Sequence, residues 1–165
     1  MEKQVLILDQ KQIDRKLQRM AFEIWEQNSS EQEITLIGIE GAGKVLAKNL
    51  AKRLKEIAPI AVKVFTVSLN KKSPLNEAIV LSEQSISNSV VLIDDVANSG
   101  KTLLYALKPL LDLQVLKITI VVLVDRKHKS FPIQPDIVGH SIATTLQNHI
   151  EVVCENDEIV AAYLH

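Results

Sequence analysis

Residues 90–102 read Val90-Val91-Leu92-Ile93-Asp94-Asp95-Val96-Ala97-Asn98-Ser99-Gly100-Lys101-Thr102, and three features share this short stretch. The continuous apolar run predicts a strand, Val90–Asp94, that is buried at the centre of a sheet. Two adjacent carboxylates stand at its exit. The cluster Ser99–Thr102 then predicts the start of a helix, since serine is a common N-cap residue and glycine permits a tight turn. Such a strand-loop-helix unit is typical of parallel α/β folds.

Strand-like and helix-like patterns alternate along the rest of the chain, as expected for helices packed on a mainly parallel sheet. Besides Val90–Asp94, the predicted strands are Ile34–Ile39, Ile60–Ser68, Lys117–Val124, Ile137–Ile142 and Glu151–Cys154. Helices are predicted after a capping box of Asp9 and Gln12, over about 43–57, and from about Gly100, where Pro109 should kink or end the helix early. The stretch Asn70–Ser89 is expected to be irregular, apart from a short strand at Ala78–Leu81.

Composition narrows the class of protein. The chain has 165 residues, of which 47% are hydrophobic and 24% charged, so we expect one domain over 1–165 rather than a disordered or fibrous chain. The apolar stretch Ile118–Val124 is too short to span a bilayer, and no secretory segment follows Met1, so neither a membrane partner nor a leader is expected. A single cysteine, Cys154, points to a reducing cytoplasm and is interpreted as a small buried hydrophobe.

The glycines mark two candidate binding loops. Of the five glycines in the chain, Gly38, Gly41, Gly43 and Gly100 lie at two junctions where an apolar strand passes into a helix. Glycine lets a ligand approach the backbone closely, and a helix start offers free N–H groups to an anion. Ligands in open α/β sheets bind at the carboxyl ends of strands, where both junctions lie. We therefore predict two phosphate-binding loops, with simple tight turns as the alternative.

The first loop, Gly38-Ile39-Glu40-Gly41-Ala42-Gly43-Lys44-Val45, is close to the P-loop pattern. It departs from that pattern at Val45, which lacks the hydroxyl that would hold Mg²⁺. A P-loop nucleotide binder is therefore kept as an alternative.

The second loop suits a phosphorylated sugar. Backbone N–H groups and the hydroxyls of Ser99 and Thr102 can surround a phosphate. Asp94 and Asp95 can accept hydrogen bonds from ribose hydroxyls or hold a hydrated Mg²⁺. The alternative is that Ser99 merely caps the helix and the carboxylates are solvated.

The whole stretch Val90–Thr102 resembles the 5-phosphoribosyl-1-pyrophosphate (PRPP) binding motif of type I phosphoribosyltransferases. In that motif, four apolar and two acidic residues precede a spacer and Thr/Ser-Gly-Lys/Arg-Thr. The chain looks most like the pyrimidine operon attenuator/uracil phosphoribosyltransferase branch, also through Leu36–Ile39, Leu46–Lys48, Val122–His128, Pro132–Ile133, Asp136 and Val138–Gly139. The resemblance implies a mainly parallel sheet flanked by helices with a small C-terminal hood. It also implies Mg²⁺-dependent transfer from PRPP to a nucleobase, uracil or another pyrimidine, with release of pyrophosphate.

The resemblance also implies roles for particular residues. Asp94 and Asp95 would be the catalytic pair and the metal ligands, and would hold the ribose hydroxyls. The PRPP-binding residues would be Asp94, Asp95, Ala97, Asn98, Ser99, Gly100, Lys101 and Thr102. The pyrophosphate would face a loop formed by Glu40, Gly41, Ala42, Gly43 and Lys44. The nucleobase would lie beside Asp125 and Arg126, under the hood.

Some positions depart from the family pattern. Gly41-Ala42-Gly43 stands where the family has Thr-Arg-Gly, so the usual cation is absent and Lys44 is one candidate substitute. Lys71 stands where the attenuator branch carries an arginine, and the stretch Asn70–Ser89 is shortened. Asn98 replaces the aspartate base of purine-using relatives, which disfavours a purine-specific enzyme of that type. Reduced activity is therefore expected, and a catalytically weak PRPP- or nucleotide-sensing regulator is the alternative.

Two basic surfaces bear on possible partners. The first, Lys44, Lys48, Lys52 and Lys55, shares one predicted helix face, and the second is Arg126–Lys129. We interpret the lysine face as the solvated side of an amphipathic helix, with an RNA-phosphate track as the alternative. The net charge of −1 adds no overall attraction to nucleic acid. The family resemblance implies a homodimer or a higher homo-oligomer.

Overall fold

The computed structural model describes residues 4–145 and 148–165. Residues 1–3, on which the expectation of no leader partly rests, lie outside the described residues. The elements in chain order are β1 (Val5–Leu8), α1 (Gln10–Gln27), β2 (Glu33–Ile39), α2 (Ala42–Ile57), β3 (Ala61–Ser68), β4 (Val80–Leu81), β5 (Ser89–Ala97), α3 (Lys101–Ala106), α4 (Lys108–Leu111), β6 (Lys117–Arg126), β7 (Ile137–Ile142), β8 (Ile150–Glu155) and β9 (Glu158–Leu164). Every predicted helix and strand is present.

The main sheet has six strands in the order β4-β3-β2-β5-β6-β7, and only the edge strand β4 runs antiparallel to its neighbour. Strand β5 lies between β2 and β6, with Val90 paired to Thr35 on one side and to Ile118 on the other. All four apolar residues Val90–Ile93 are fully buried. This confirms the predicted α/β class and the central place of the Val90 strand.

Helices cover both faces of this sheet. One face packs against α1 and α2 through fully buried side chains, among them Leu17, Met20, Ile24, Leu46, Leu50 and Leu54. The other face packs against α3 and α4 through Leu103, Ala106 and Leu110. Helix α3 ends at Ala106 and α4 restarts at Lys108 with Pro109 in its first turn, which confirms the expected interruption. No helix in the described part of the chain is long and apolar enough to cross a membrane.

A second sheet, of three antiparallel strands in the order β1-β9-β8, packs against α1 and α2. It forms the predicted hood, but the N-terminal strand β1 joins the two C-terminal strands, and neither β1 nor β9 was predicted. Asn156 and Asp157 turn the chain between β8 and β9 with φ of 50° and 61°, and the side-chain amide of Asn49 in α2 donates to the Asp157 carbonyl at 2.9 Å. These contacts join the hood to the helix that follows the first loop.

The interpretation of Cys154 as buried is wrong, because the residue is exposed. It lies in β8, at a register shift between Val153 and Cys154 and close to the hairpin turn. Partial desolvation of the thiol, and secondly the negative charge of Asp95, raise the pKa of Cys154. Strand β8 of the hood also packs against β5, the strand that carries Asp95.

Candidate active site

The two predicted loops meet at the carboxyl ends of the neighbouring strands β2 and β5. Gly43, in the first turn of α2, passes so close to β5 that an added Cβ would lie 3.0 Å from Asp94 Oδ1 and 3.0 Å from the Ile93 carbonyl oxygen. A side chain at this position would therefore press on the carboxylate. The sequence predicted that these loops share one edge of the sheet, and the structure brings them into contact.

Asp94 is a buried carboxyl in an unfavourable electrostatic position. Its side chain is 2% exposed, its Oδ1 accepts a hydrogen bond from the Asp95 amide at 2.9 Å, and Lys71 Nζ lies 3.6 Å from the same oxygen. Burial raises the pKa of Asp94 well above its usual value, and the negative charge of neighbouring Asp95 raises it further. The positive charge of Lys71 lowers this pKa, but only in part offsets the rise. A ligand that brings hydrogen-bond donors or positive charge to this carboxyl would relieve this cost.

The raised pKa has a consequence for stability. When the pKa of a carboxyl is higher in the folded protein than in the unfolded chain, its contribution to stability is fully present below the pKa of the unfolded chain. That contribution is lost as the pH rises through the pKa of the folded protein, because the buried carboxyl must then become charged. We therefore expect Asp94→Asn to raise the Tm of the ligand-free protein at pH 8 by several degrees, and the gain to shrink towards pH 4. Thermal unfolding across this pH range measures it. Asp112→Asn, at an exposed carboxylate, is the control, and a gain that grew in acid would contradict the assignment.

Strand β5 runs three residues further than predicted, to Ala97, because β6 continues to pair with it through Ala97 and Asp125. The acidic pair therefore lies within the end of the strand and not in a loop. Residues 97–102 then curve around a cavity of about 40 Å³, lined by Asp94, Val96, Ala97, Asn98, Ser99, Gly100, Thr102 and Leu103. Ser99 Oγ accepts from the Lys101 amide at 3.3 Å, and Gly100 has a φ of 87°. We call residues 97–102 the phosphate loop, after the ligand that the sequence predicts for them.

The segment after β6 packs on the phosphate loop from outside. The Ser99 carbonyl oxygen accepts hydrogen bonds from the amides of Ser130 at 3.0 Å and Phe131 at 3.1 Å. A Cβ added to Gly100 would lie 2.5 Å from Ile133 Cγ2. Contacts within the chain therefore fix the conformation of the loop without a ligand.

Gly100→Ala should destabilise the protein by about 2–4 kcal/mol, because it combines a positive φ with a steric clash. The clash is tested by adding Ile133→Ala, which removes the opposing methyl group. We expect the double variant to lose less stability than the sum of the two single changes, as measured by chemical denaturation. Strictly additive losses would show that Ile133 does not limit this position.

The first loop is open, and its own lysine does not reach the acidic pair. Gly41 has a φ of 98°, and no atom lies within 4 Å of the place where its Cβ would be. Ala42 is half-buried and Lys44 is exposed, whereas Lys71, from the segment after β3, approaches Asp94. Of the two lysines considered as replacements for the missing arginine, it is therefore Lys71 that lies at the site.

The two residues assigned to the nucleobase are both engaged within the protein. Asp125 is 7% exposed and accepts from Lys129 Nζ at 2.6 Å. The Arg126 guanidinium donates to Asn98, Thr144 and Thr145. The assignment of Asp125 and Arg126 to the nucleobase stays a prediction. Sequence reasoning missed Lys129 and the two threonines as their partners, since no spacing rule connects them.

The two carboxylates Asp94 and Asp95 suit a magnesium ion that takes most of its coordinating oxygens from water and from the substrate. Within residues 4–145 and 148–165, no three His, Cys, Asp or Glu side chains are grouped closely enough to hold a metal. Mg²⁺ commonly takes one or two protein carboxylates and completes its shell with water and substrate phosphates. Asp94 and Asp95 match that pattern.

This fold and site place the chain among α/β proteins that carry an acidic pair and a glycine turn at the end of a central parallel strand. The chain belongs to the phosphoribosyl transferase domain family, whose pattern matches residues 5–158. It is 36% identical to the bifunctional protein PyrR of Limosilactobacillus reuteri over 161 residues, which are 90% of each chain. It is 33% identical to the protein of that name from Haemophilus ducreyi, over 92% of this chain and 90% of the relative. The predicted family and branch are confirmed.

Solved structures agree on the fold. The hypoxanthine phosphoribosyltransferase of Trypanosoma cruzi superposes with a TM-score of 0.75 at 15% identity, covering 94% of both chains. A hypoxanthine-guanine phosphoribosyltransferase from Bacillus anthracis gives a TM-score of 0.72 at 18% identity, covering 95% of this chain and 96% of the other. At these identities the likeness concerns the fold alone.

Proposed function

We propose that this protein transfers the phosphoribosyl group of PRPP to uracil or another pyrimidine base, with release of pyrophosphate. The observation that carries the proposal is the meeting of three parts at one sheet edge: the Asp94–Asp95 pair, the phosphate loop and the open first loop. A sugar that carries a phosphate at one end and a charged leaving group at the other matches this arrangement. Membership of the family supports the same reaction class.

In the reaction, a ring nitrogen of the base forms a bond to ribose C1 while the bond from C1 to the pyrophosphate oxygen breaks. The proton of that nitrogen passes to solvent or to the departing pyrophosphate. The phosphate loop would anchor the 5-phosphate, and Asp94 and Asp95 would orient the ribose through its hydroxyls. Bound Mg²⁺ would share the negative charge of the pyrophosphate. The chain's main contribution is to hold the reactants in line, which is a large part of the rate in such displacements.

Asn98 bears on the choice of base. A carboxamide cannot take up a proton, so position 98 cannot act as the base that is expected in purine-using relatives. Its Oδ1 already accepts from Arg126 at 3.2 Å. The missing base disfavours a purine-specific enzyme of that type, and the hydrogen bond with Arg126 leaves Asn98 as part of the loop structure.

A thermal-shift titration with PRPP and Mg²⁺ tests the proposed substrate. A ligand at a hundred times its Kd adds about 2.7 kcal/mol, which raises the Tm of a chain of this size by about 5–10 °C. ATP should give no such rise. Stabilisation by ATP but not by PRPP would favour the P-loop alternative. If PRPP does stabilise the protein, an assay of pyrophosphate release with uracil separates an active enzyme from a ligand sensor.

A second candidate function is regulation through RNA, because four lysines of α2 form one exposed face and the matched relatives are called bifunctional. The face consists of Lys44, Lys48, Lys52 and Lys55, none of which forms an ion pair within the described parts of the chain. Its position on the helix that begins at the first loop would place RNA beside the ligand site. A role in binding RNA is proposed only as the secondary activity.

If that face binds single-stranded RNA, the affinity should be weak and steeply salt-dependent. Four phosphate contacts give a slope of log K against log salt near −3, a loss of about 50-fold between 50 and 200 mM salt. Lys48→Gln with Lys52→Gln should reduce the slope by about 1.4 units, and Lys108→Gln on α4 is the control. A gel shift that persisted unchanged at high salt would contradict this assignment.

A homodimer or larger homo-oligomer is expected from the family resemblance. Light scattering of the purified protein measures its mass in solution. A monomer at micromolar concentration would count against that expectation without affecting the site.

A further inference from the structure

Arg126 stands at a junction between two segments that leave the sheet. It is the last residue of β6, and its pairing partner on β7 is Ile142. On the other side, the preceding residue Asp125 pairs with Ala97 of β5, so the phosphate loop begins next to Arg126. Beyond Ile142, residues 143–145 begin the connection to the hood strands β8 and β9. One side chain is thus placed between the loop and the hood connection.

The half-buried guanidinium uses its three nitrogens on three different partners. Nη1 donates to Asn98 Oδ1 at 3.2 Å, Nε donates to Thr144 Oγ1 at 2.7 Å, and Nη2 donates to the Thr145 carbonyl oxygen at 2.6 Å. A guanidinium holds its N–H groups in a rigid plane, which suits several fixed acceptors at once. A lysine ammonium at the end of a flexible chain cannot reproduce this set.

We infer that Arg126 is a positioning residue, which fixes the phosphate loop against segment 143–145, and not a contact of the nucleobase. It acts through Asn98, the first residue after β5. The adjacent residue, Ser99, is held independently by the amides of Ser130 and Phe131. Asn98 and Ser99 are therefore both fixed by the segment that starts at Arg126, which prepares the loop for a phosphate before the ligand arrives.

This inference rests on the proposed function and can fail separately from it. Two probes distinguish the two places that Arg126 could serve. Ribose 5-phosphate reaches only the phosphate loop and the acidic pair, whereas UMP also occupies the place of the base. A positioning role lowers the affinity for both probes, because both depend on the loop. A contact to the base lowers the affinity for UMP alone.

Titration calorimetry of the full-length protein with each probe is the experiment. We expect Arg126→Lys and Arg126→Gln to raise the Kd of ribose 5-phosphate and of UMP by the same factor, about 10-fold, a loss of about 1.4 kcal/mol. Lys127→Gln, at the exposed neighbour, should leave both unchanged. A rise for UMP alone, or no rise for either, would overturn the inference. A parent that bound neither probe would instead contradict the proposed function.

A double-mutant cycle tests whether Arg126 acts through Asn98. Asn98→Ala should weaken ribose 5-phosphate binding. Adding Arg126→Lys should raise the Kd of ribose 5-phosphate little further, because both changes remove the same interaction between Arg126 and Asn98. Additive losses would overturn the route through Asn98. If the Arg126 variants fail to fold, Thr144→Val is the alternative variant, because it removes the hydroxyl that accepts the hydrogen bond from Arg126 Nε. That change should still raise the Kd of ribose 5-phosphate, and an unchanged Kd would overturn the inference.

Discussion

Replacing Asp94 and Asp95 together with asparagine should weaken PRPP binding by one to two orders of magnitude, about 1.4–2.7 kcal/mol. Charge-assisted hydrogen bonds to the ribose hydroxyls would become neutral ones, and a bound cation would lose its carboxylates. Because burial and Asp95 raise the pKa of Asp94 in the ligand-free protein, the same change should also relieve a destabilising charge. The expected variant is more stable without ligand and binds PRPP poorly.

Calorimetry with PRPP and Mg²⁺, together with the ligand-free Tm, measures both effects on one sample. Asp112→Asn serves as the matched control, since Asp112 is an exposed carboxylate at the end of α4. A double variant that bound PRPP as tightly as the parent would remove the acidic pair from the site. A variant that lost binding together with its fold would be distinguished by its Tm.

The second large effect concerns the rate of transfer. The loop Glu40–Lys44 has Ala42 at the place of the family's arginine, and its Lys44 forms no ion pair within the described residues. Losing one preorganised charge at a developing anion typically costs about 10²–10³ in rate. We therefore expect the parent to bind PRPP normally and to transfer slowly. Ala42→Arg should raise the turnover of uracil with PRPP and leave PRPP affinity within a few-fold.

Lys71 provides the companion variant, because its ammonium lies 3.6 Å from Asp94. Lys71→Met should lower the residual turnover further, whereas Lys72→Met, at the exposed neighbour, should not. Pyrophosphate release at saturating PRPP is the assay. A parent that turned over at about 10 s⁻¹, an ordinary enzyme rate, would show that Lys71 or Lys44 already supplies the missing charge.

The central unit of the fold could be predicted because its local signals agree. The apolar run Val90–Ile93 favours a buried strand, and Gly100, which is the N-cap residue with a φ of 87°, marks the start of α3. The strand ends at Ala97 instead of Asp94, since pairing with β6 supplies backbone partners that no local pattern reveals. Strand β1 was missed because its partner β9 lies at the other end of the chain. Strand β9 was missed although Asn156-Asp157 is a recognisable hairpin turn.

The side-chain contacts of the site were the least accessible from sequence. The residue types of the acidic pair and the phosphate loop follow from the chemistry of a sugar phosphate, and the structure places them together. The engagement of Asp125 by Lys129, and of Arg126 by Asn98, depends on the path of the segment after β6. The segment after β6 follows its path because Ile133 packs closely against Gly100. This contact is visible only in the three-dimensional structure.

The most direct test of the account is a crystal structure of the protein with PRPP and Mg²⁺. We expect the 5-phosphate within the phosphate loop of residues 97–102, the ribose hydroxyls on Asp94 and Asp95, and the pyrophosphate against Glu40–Lys44. Phosphate density confined to the Gly38–Val45 loop, with the Asp94–Thr102 stretch free of ligand, would contradict it and favour a P-loop nucleotide binder.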